Sequence, residues 1–358
     1  MNTITPYTTY NQQIYKQNQP VFRGSPLMPG PSVEKSVRSV EFTGRKIVNR
    51  ICDFFLRKHD NTIYNELMAA KVETPEYIKA ISRVSRLFSS KKEIEINLES
   101  NRIQQIASSG KPHIFIMNHD NQGKDPKMLA FFNTLLNEEY LRTGQAETCP
   151  RPKIILNRDI LLSMNKDKRK VFEKLGAIPV DASIYSTDKK SNAKQLIKLM
   201  KGFIKGDSNI FIFPEGRNAA FKYASLQEKF QLGVAEMVAK LADKLPEVSV
   251  TPIGFAYNKG LKSPGDSIYI GKTVVFKKNI DGMSASSGNI SSSFARNSYK
   301  KFYGGEENAL ITCRSIPVRG KEISEYIGGI LCENLRICTE EAKAALPKKS
   351  LGNDIIKC

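Results

Sequence analysis

The chain has 358 residues, 40% hydrophobic and 25% charged, enough to bury a large core and ordinary for a folded protein. The 55 Lys and Arg against 36 Asp and Glu leave a net charge of +19, which favours acidic partners without choosing among anionic headgroups, phosphorylated substrates, an acidic carrier protein and nucleic acid. The six cysteines form no CxxC pair and no zinc-type spacing with histidine, so no metal ligand set is expected and free thiols in a reducing compartment are. Residues 1–20 lack a basic start followed by an apolar core, and no apolar run approaches the roughly 18 residues of a spanning helix. The expected location is the cytoplasm, with any membrane contact peripheral, on the inner face.

Residues 1–40, rich in Asn, Gln, Thr, Pro and Tyr without an apolar period, are expected to form a disordered arm. A basic helical region is expected over 41–94. In its first helix Ile47, Val48, Ile51, Phe54 and Phe55 share a face, with Arg45, Lys46, Arg50 and Arg57 around them. A second begins at Thr74, an N-cap, and Pro75, and carries Tyr77, Ile78, Ile81, Val84 and Phe88 on one face. The two helices suit docking on anionic lipid or, equally, packing on the core with a charged outer side.

Over 95–277 an alternation of strands and helices predicts an α/β domain, a mostly parallel central sheet flanked by helices. Strands are expected at His113–Met117, Lys153–Leu156, Gly176–Val180, Asn209–Phe213 and Val248–Phe255, where short apolar runs suit strands covered on both faces. Helices are expected at about 126–141, 191–205 and 229–244, with Gly206 as a C-terminal stop. Residues 278–307, rich in Ser, Gly and Asn, are expected to be a flexible loop, and 308–358 a C-terminal helical region.

Of three histidines, His59 closes a basic helix and reads as a surface residue, and His113 opens a strand in a core or edge role. His119 follows the run Ile114-Phe115-Ile116-Met117, at the strand's C-terminal end, where parallel sheets bind ligands. An imidazole base needs a carboxylate to hold its tautomer and stabilise the imidazolium. Asp125 is placed for that; it also reads as an N-cap before Pro126, and one carboxylate can serve both ends. A second block, Phe211-Ile212-Phe213-Pro214-Glu215-Gly216-Arg217, ends a buried strand in a Pro/Gly turn bearing an acid and a base. Arg217 suits a forked grip on phosphate, and a local Glu–Arg pair in a turn explains it as well.

Together, Asn118-His119 with Asp125-Pro126 and Phe213-Pro214-Glu215-Gly216-Arg217 resemble the glycerolipid acyltransferase family, with Val250-Thr251-Pro252-Ile253 and Ile270-Gly271-Lys272 as further matching blocks over roughly 95–275. The resemblance implies acyl transfer from acyl-CoA or acyl-carrier protein to a hydroxyl of glycerol-3-phosphate or a lysophospholipid, with no other cofactor. It makes His119 the base, Asp125 its partner, and Glu215, Gly216 and Arg217 part of the acceptor site. Two departures stand out. The spacing is His-x5-Asp, one residue longer than the family's; either Gly123 absorbs the extra residue, or Asp120 is the partner, or the pair is broken. Ala182 stands where the family often has an arginine for the acceptor phosphate, leaving Arg158, Lys189 and Lys190 as replacements or as a solvated basic surface. The layout before residue 95 is similar to that of the soluble, plastid-type members. The competing expectation is a catalytically inactive relative that binds lipid at a membrane surface. Specific nucleic-acid binding is not expected, because no recognition signature or aromatic stripe accompanies the basic runs.

Overall fold

A computed structural model describes residues 61–72, 74–88, 94–97, 101–119, 125–162, 164, 166–180, 189–215, 230, 233–257, 266–279, 282–286 and 321–346. The expected arm, the helix containing Ile47 to Phe55, His59, Asp120, Gly123, Ala182, Gly216 and Arg217 lie outside these residues.

The strands are β1 (Ile94–Asn97), β2 (His113–Met117), β3 (Arg151–Asn157), β4 (Ala177–Val180), β5 (Ser208–Ile212), β6 (Val248–Ala256), β7 (Asp266–Ile270), β8 (Val274–Asn279) and β9 (Gly282–Ser286). They form one sheet in the order β1-β7-β6-β2-β5-β3-β4, with β8 beside β6 and β9 beside β8. The block β6-β2-β5-β3-β4 is parallel throughout, as is β1 on β7. The pairings β6–β7, β6–β8 and β8–β9 are antiparallel. The fold is α/β with a mostly parallel sheet. Because β2, β5 and β3 run the same way, the loops that follow them share one edge of the sheet.

Strand β2 shows why the apolar runs take this form. Its side chains alternate: Phe115 and Met117 enter the core on one face, Ile114 and Ile116 the core on the other. Helices cover both faces, so every position is buried and no polar alternation is visible in the sequence. The first face is filled by α1 (Asn61–Ala69), α2 (Pro75–Phe88), α3 (Arg102–Ser108) and α4 (Asp125–Arg142). Tyr77, Ile78 and Ile81 of α2 are almost wholly buried, and α2 packs against α4. Of the two readings of this basic helix, packing on the core describes it; its apolar side is not available to a bilayer.

After α5 (Arg158–Leu162) and α6 (Lys166–Lys174), the second face is filled by α7 (Lys189–Ile204), α8 (Gly233–Ala242) and α9 (Lys321–Ala344). Helix α7 ends at Gly206 as expected. Gly206 has φ +83° and its N–H reaches Phe203 O, while Asp207 N–H reaches Gly202 O, the paired bonds of a Schellman stop. The C-terminal helix α9 lies against β6, β7 and α8, and Tyr326, Ile327, Ile330, Leu331 and Leu335 are core. It comes so close that a Cβ on Gly254 of β6 would stand 2.0 Å from Cys338 O.

One expectation needs correction. The stretch 278–307 begins with ordered structure: β8 runs to Asn279, and β9 pairs with it from Gly282 to Ser286. Met283 and Ala285 face the core while Ser286 faces out, a period of two built from residues too small to stand out as apolar. Thr74 precedes α2 as expected, and its hydroxyl donates back to Lys71 O at 2.9 Å, closing the turn ahead of the helix.

Candidate active site

The site grows from the C-terminal edge of the parallel strands. Just past β2, the Asn118 amide bonds twice to β6: its Nδ2 donates to Phe255 O at 3.0 Å, and its Oδ1 accepts from Phe255 N–H at 2.6 Å. The two bonds fix the amide's orientation and the height at which the chain leaves the sheet. The next residue is His119. Its backbone N–H donates to Glu215 Oε1 at 2.6 Å, which ties the loop after β2 to the turn after the neighbouring β5. Its ring leans on Phe213, centroids 5.0 Å apart.

The imidazole Nδ1 of His119 meets Asp125 Oδ2, and Asp125 Oδ1 accepts a hydrogen bond from Tyr257 Oη. Five residues intervene between His119 and Asp125, yet the pair is closed, so the longer spacing does not separate them. Asp125 is the first residue of α4, with Pro126 behind it, so the histidine partner stands at the helix N-terminus. The positive end of the helix favours a negative carboxylate there. Side-chain exposure is 20% for His119 and 2% for Asp125. The carboxylate is therefore sealed beneath a ring with one open edge. With a carboxylate accepting at Nδ1, the proton of the neutral ring sits on Nδ1, and Nε2 is the basic nitrogen. That is the arrangement of a general base.

Glu215 is 3% exposed, with its carboxylate turned inward to the His119 backbone. Through Oε1 it holds the position of the histidine. Arg158 begins α5 at the end of β3, and Lys189 and Lys190 begin α7 after β4; topology brings all three backbones to the edge that carries His119. Only Arg158 among them has a described side chain, and it is half-buried.

Among the described residues no cysteine has the surroundings of a nucleophile. Cys332 of α9 is buried, and desolvation together with the carboxylates of Glu333 and Glu215 pushes its thiol up to about 12. Cys338 is likewise pushed up to about 12 by burial. Among the described residues no group of three or more His, Cys, Asp or Glu is placed to hold a metal ion, and no helix is long and apolar enough to cross a membrane.

Sequence reasoning did not single out Tyr257, nor the clamp role of Asn118 and the inward turn of Glu215. Tyr257 lies just past the apolar strand β6, and that position was a usable signal. Its meaning depends on β6 being parallel to β2, which the sequence does not display.

Residues 95–256 match the family model described as Acyltransferase. No curated protein matches the chain significantly. The matched segment runs from β1 through β6 and contains His119, Asp125 and Glu215. Over residues 95–256 the chain thus carries a domain of the acyltransferase family, the family that its histidine and Phe-Pro-Glu-Gly blocks resemble.

Proposed function

We propose that this domain moves a fatty acyl group from a thioester donor, acyl-CoA or acyl-carrier protein, to a hydroxyl of glycerol-3-phosphate or a lysophospholipid, as in phospholipid biosynthesis. The observation that carries the reading is the half-open His119 ring backed by a sealed Asp125 that is itself held by Tyr257. In this reading Nε2 takes the proton of the acceptor hydroxyl as its oxygen attacks the thioester carbonyl. The tetrahedral intermediate collapses, the C–S bond breaks, and the imidazolium returns the proton to the thiolate leaving group. Asp125 stabilises the imidazolium between the two steps. Glu215 positions the loop that carries the base. Arg158, Lys189 and Lys190 supply positive charge along the edge where a phosphate would lie, the place left by Ala182, and Gly216 and Arg217 extend the acceptor side. A base of this kind contributes roughly 10²–10⁴-fold, and positioning supplies more.

The experiment is acyl transfer from labelled acyl-CoA or acyl-carrier protein to glycerol-3-phosphate and to lysophosphatidic acid, wild type beside His119→Ala. Transfer by wild type that is lost in the variant supports the reading and names the acceptor. Folded wild type that transfers with no donor–acceptor pair, yet binds lipid, would replace it with the inactive lipid-binding relative.

A further inference from the structure

Exposed apolar side chains scattered singly need no explanation. Here the large ones among the described residues are gathered on two helices: Ile160 and Leu162 on α5, and Leu196, Ile197 and Ile204 on α7. Leu162 is 55% exposed and Ile197 is 53%. Both helices pack at the β4 end of the sheet, α5 against β3 and β4, and α7 against β4 and β5.

Helix α7 has two sides. Leu199 and Phe203, four apart, enter the core beside α8. On the solvent side, Lys194, Lys198, Lys201 and the following Lys205 recur at intervals of four, three and four, so they form one stripe. Ile197 and Ile204, seven apart, line the same stripe along one flank. All six are exposed, and α7 contains no Asp or Glu. None of the four lysines makes an ion pair among the described residues. Positive charge is crowded enough that the amine of Lys153 on β3, already disfavoured by burial, is pushed down further by Lys198.

We infer that this exposed face of α7, with the tip of α5, is the surface by which the protein docks on an anionic lipid bilayer. The residue types choose the occupant. Protein–protein interfaces are enriched in Arg and aromatic residues and depleted in Lys; among the described side chains, the exposed ones of α7 are lysines and aliphatic residues. Lysine with isoleucine and leucine is what a headgroup layer accepts: apolar tips enter the acyl boundary while the long lysine stems carry their ammonium groups out to phosphate. The location suits the chemistry as well. Helix α5 starts at the end of β3, and only β5 separates β3 from β2, so it stands about 10 Å along the sheet edge from the end of the strand that leads to His119. A bilayer at the β4 end would therefore lie beside the catalytic edge, within reach of a lipid acceptor. The inference deepens the proposed function, whose acceptor or product is a lipid, and it reassigns the docking role from the N-terminal helix α2, whose apolar side is buried.

The test is flotation of the full chain with vesicles of phosphatidylcholine alone or mixed with phosphatidylglycerol. A lysine close to an anionic surface contributes about fivefold to partitioning. Wild type is expected to float with the anionic vesicles only. Lys198→Glu/Lys201→Glu, a change of four charges, should weaken partitioning on the order of 600-fold by the same reckoning, and Ile197→Ser/Ile204→Ser about tenfold through lost apolar burial. The charge-matched Lys71→Glu/Lys79→Glu, at the α1–α2 side, should float as wild type does. Equal weakening by both reversals would overturn the inference in favour of diffuse charge. Unaltered flotation of the α7 variants, with weakened binding to an acidic acyl-carrier protein, would overturn it in favour of a protein-docking face. Acyl transfer to a water-soluble acceptor without vesicles, run on the same preparations, separates the two readings: flotation without transfer refutes the proposed function alone, and transfer without flotation refutes the docking face alone.

Discussion

His113 and His119 stand at the two ends of the same strand and have opposite chemistry. His113 begins β2 and is buried. Among the described residues its ring nitrogens meet only hydroxyls, Thr251 Oγ1 at 3.1 Å and Ser109 Oγ at 3.3 Å. Burial, with the charge of Lys111 nearby, lowers its pKa to about 4, so it is neutral at physiological pH. His119 lies two residues past the other end, with one ring nitrogen on a carboxylate and one edge open. The first is a neutral element of the core; the second is built to take a proton and be stabilised once it has it. The residue type is the same, and the end of the parallel sheet decides the role.

The comparison breaks most visibly under exchange of alanine. His119→Ala should lower kcat by roughly 10²–10⁴-fold with thermal stability little changed. His113→Ala should do the reverse, lowering the melting temperature while leaving kcat per folded molecule intact. Calorimetry and steady-state rates on both variants check this, and a melting loss in the His119 variant equal to that of His113 would erase the distinction.

Acid sharpens it next. The folded pKa of His113 is depressed to about 4 from 6.5, so between these values the unfolded chain binds more protons. Its contribution is present in full above about pH 6.5 and is lost as pH falls toward 4, roughly 3 kcal/mol in all. Denaturant midpoints across that window should fall with pH in wild type and fall less in His113→Asn.

Packing at the site's end gives a smaller effect. Gly254 adjoins Phe255, the residue that Asn118 clamps, and a methyl group there would strike Cys338 O of α9. Gly254→Ala should cost about 1–3 kcal/mol by overpacking. It should also disorder the loop of His119 before the His113 end is affected, visible as early loss of amide protection at 118 and 119. The smallest change is Tyr257→Phe, which removes the hydrogen bond to Asp125. A bond to a charged group of this kind corresponds to about a tenfold fall in kcat, with KM nearly unchanged. A rise in KM alone would mean that Tyr257 contacts substrate and does not act through Asp125.

Much of the fold was visible in the chain. Strand β2 lies at the predicted residues, and the strands and helices of the central block depart from their predicted limits by a few residues at most, because runs covered on both faces are apolar throughout and helices announce themselves by period. Strand β1 and the pair β8–β9 were not visible. Strand β1 is only four residues long, and β9, Gly-Met-Ser-Ala-Ser, carries little apolar pattern; both are placed by pairing, β1 with β7 and β9 with β8.

The sequence by itself determined that a histidine follows a buried strand, that an aspartate waits at the start of the next helix, and that a Phe-Pro-Glu-Gly turn follows another. It did so because strand runs, caps and Pro/Gly turns are local devices. Tertiary structure alone decided the partners. It brought Tyr257 from the end of β6 to Asp125, joined Glu215 to the backbone of His119, and buried α2 while leaving the lysine stripe of α7 exposed. Each of these depends on which strands lie side by side and which helix covers which face, and contacts between residues so far apart along the chain leave no local period in it.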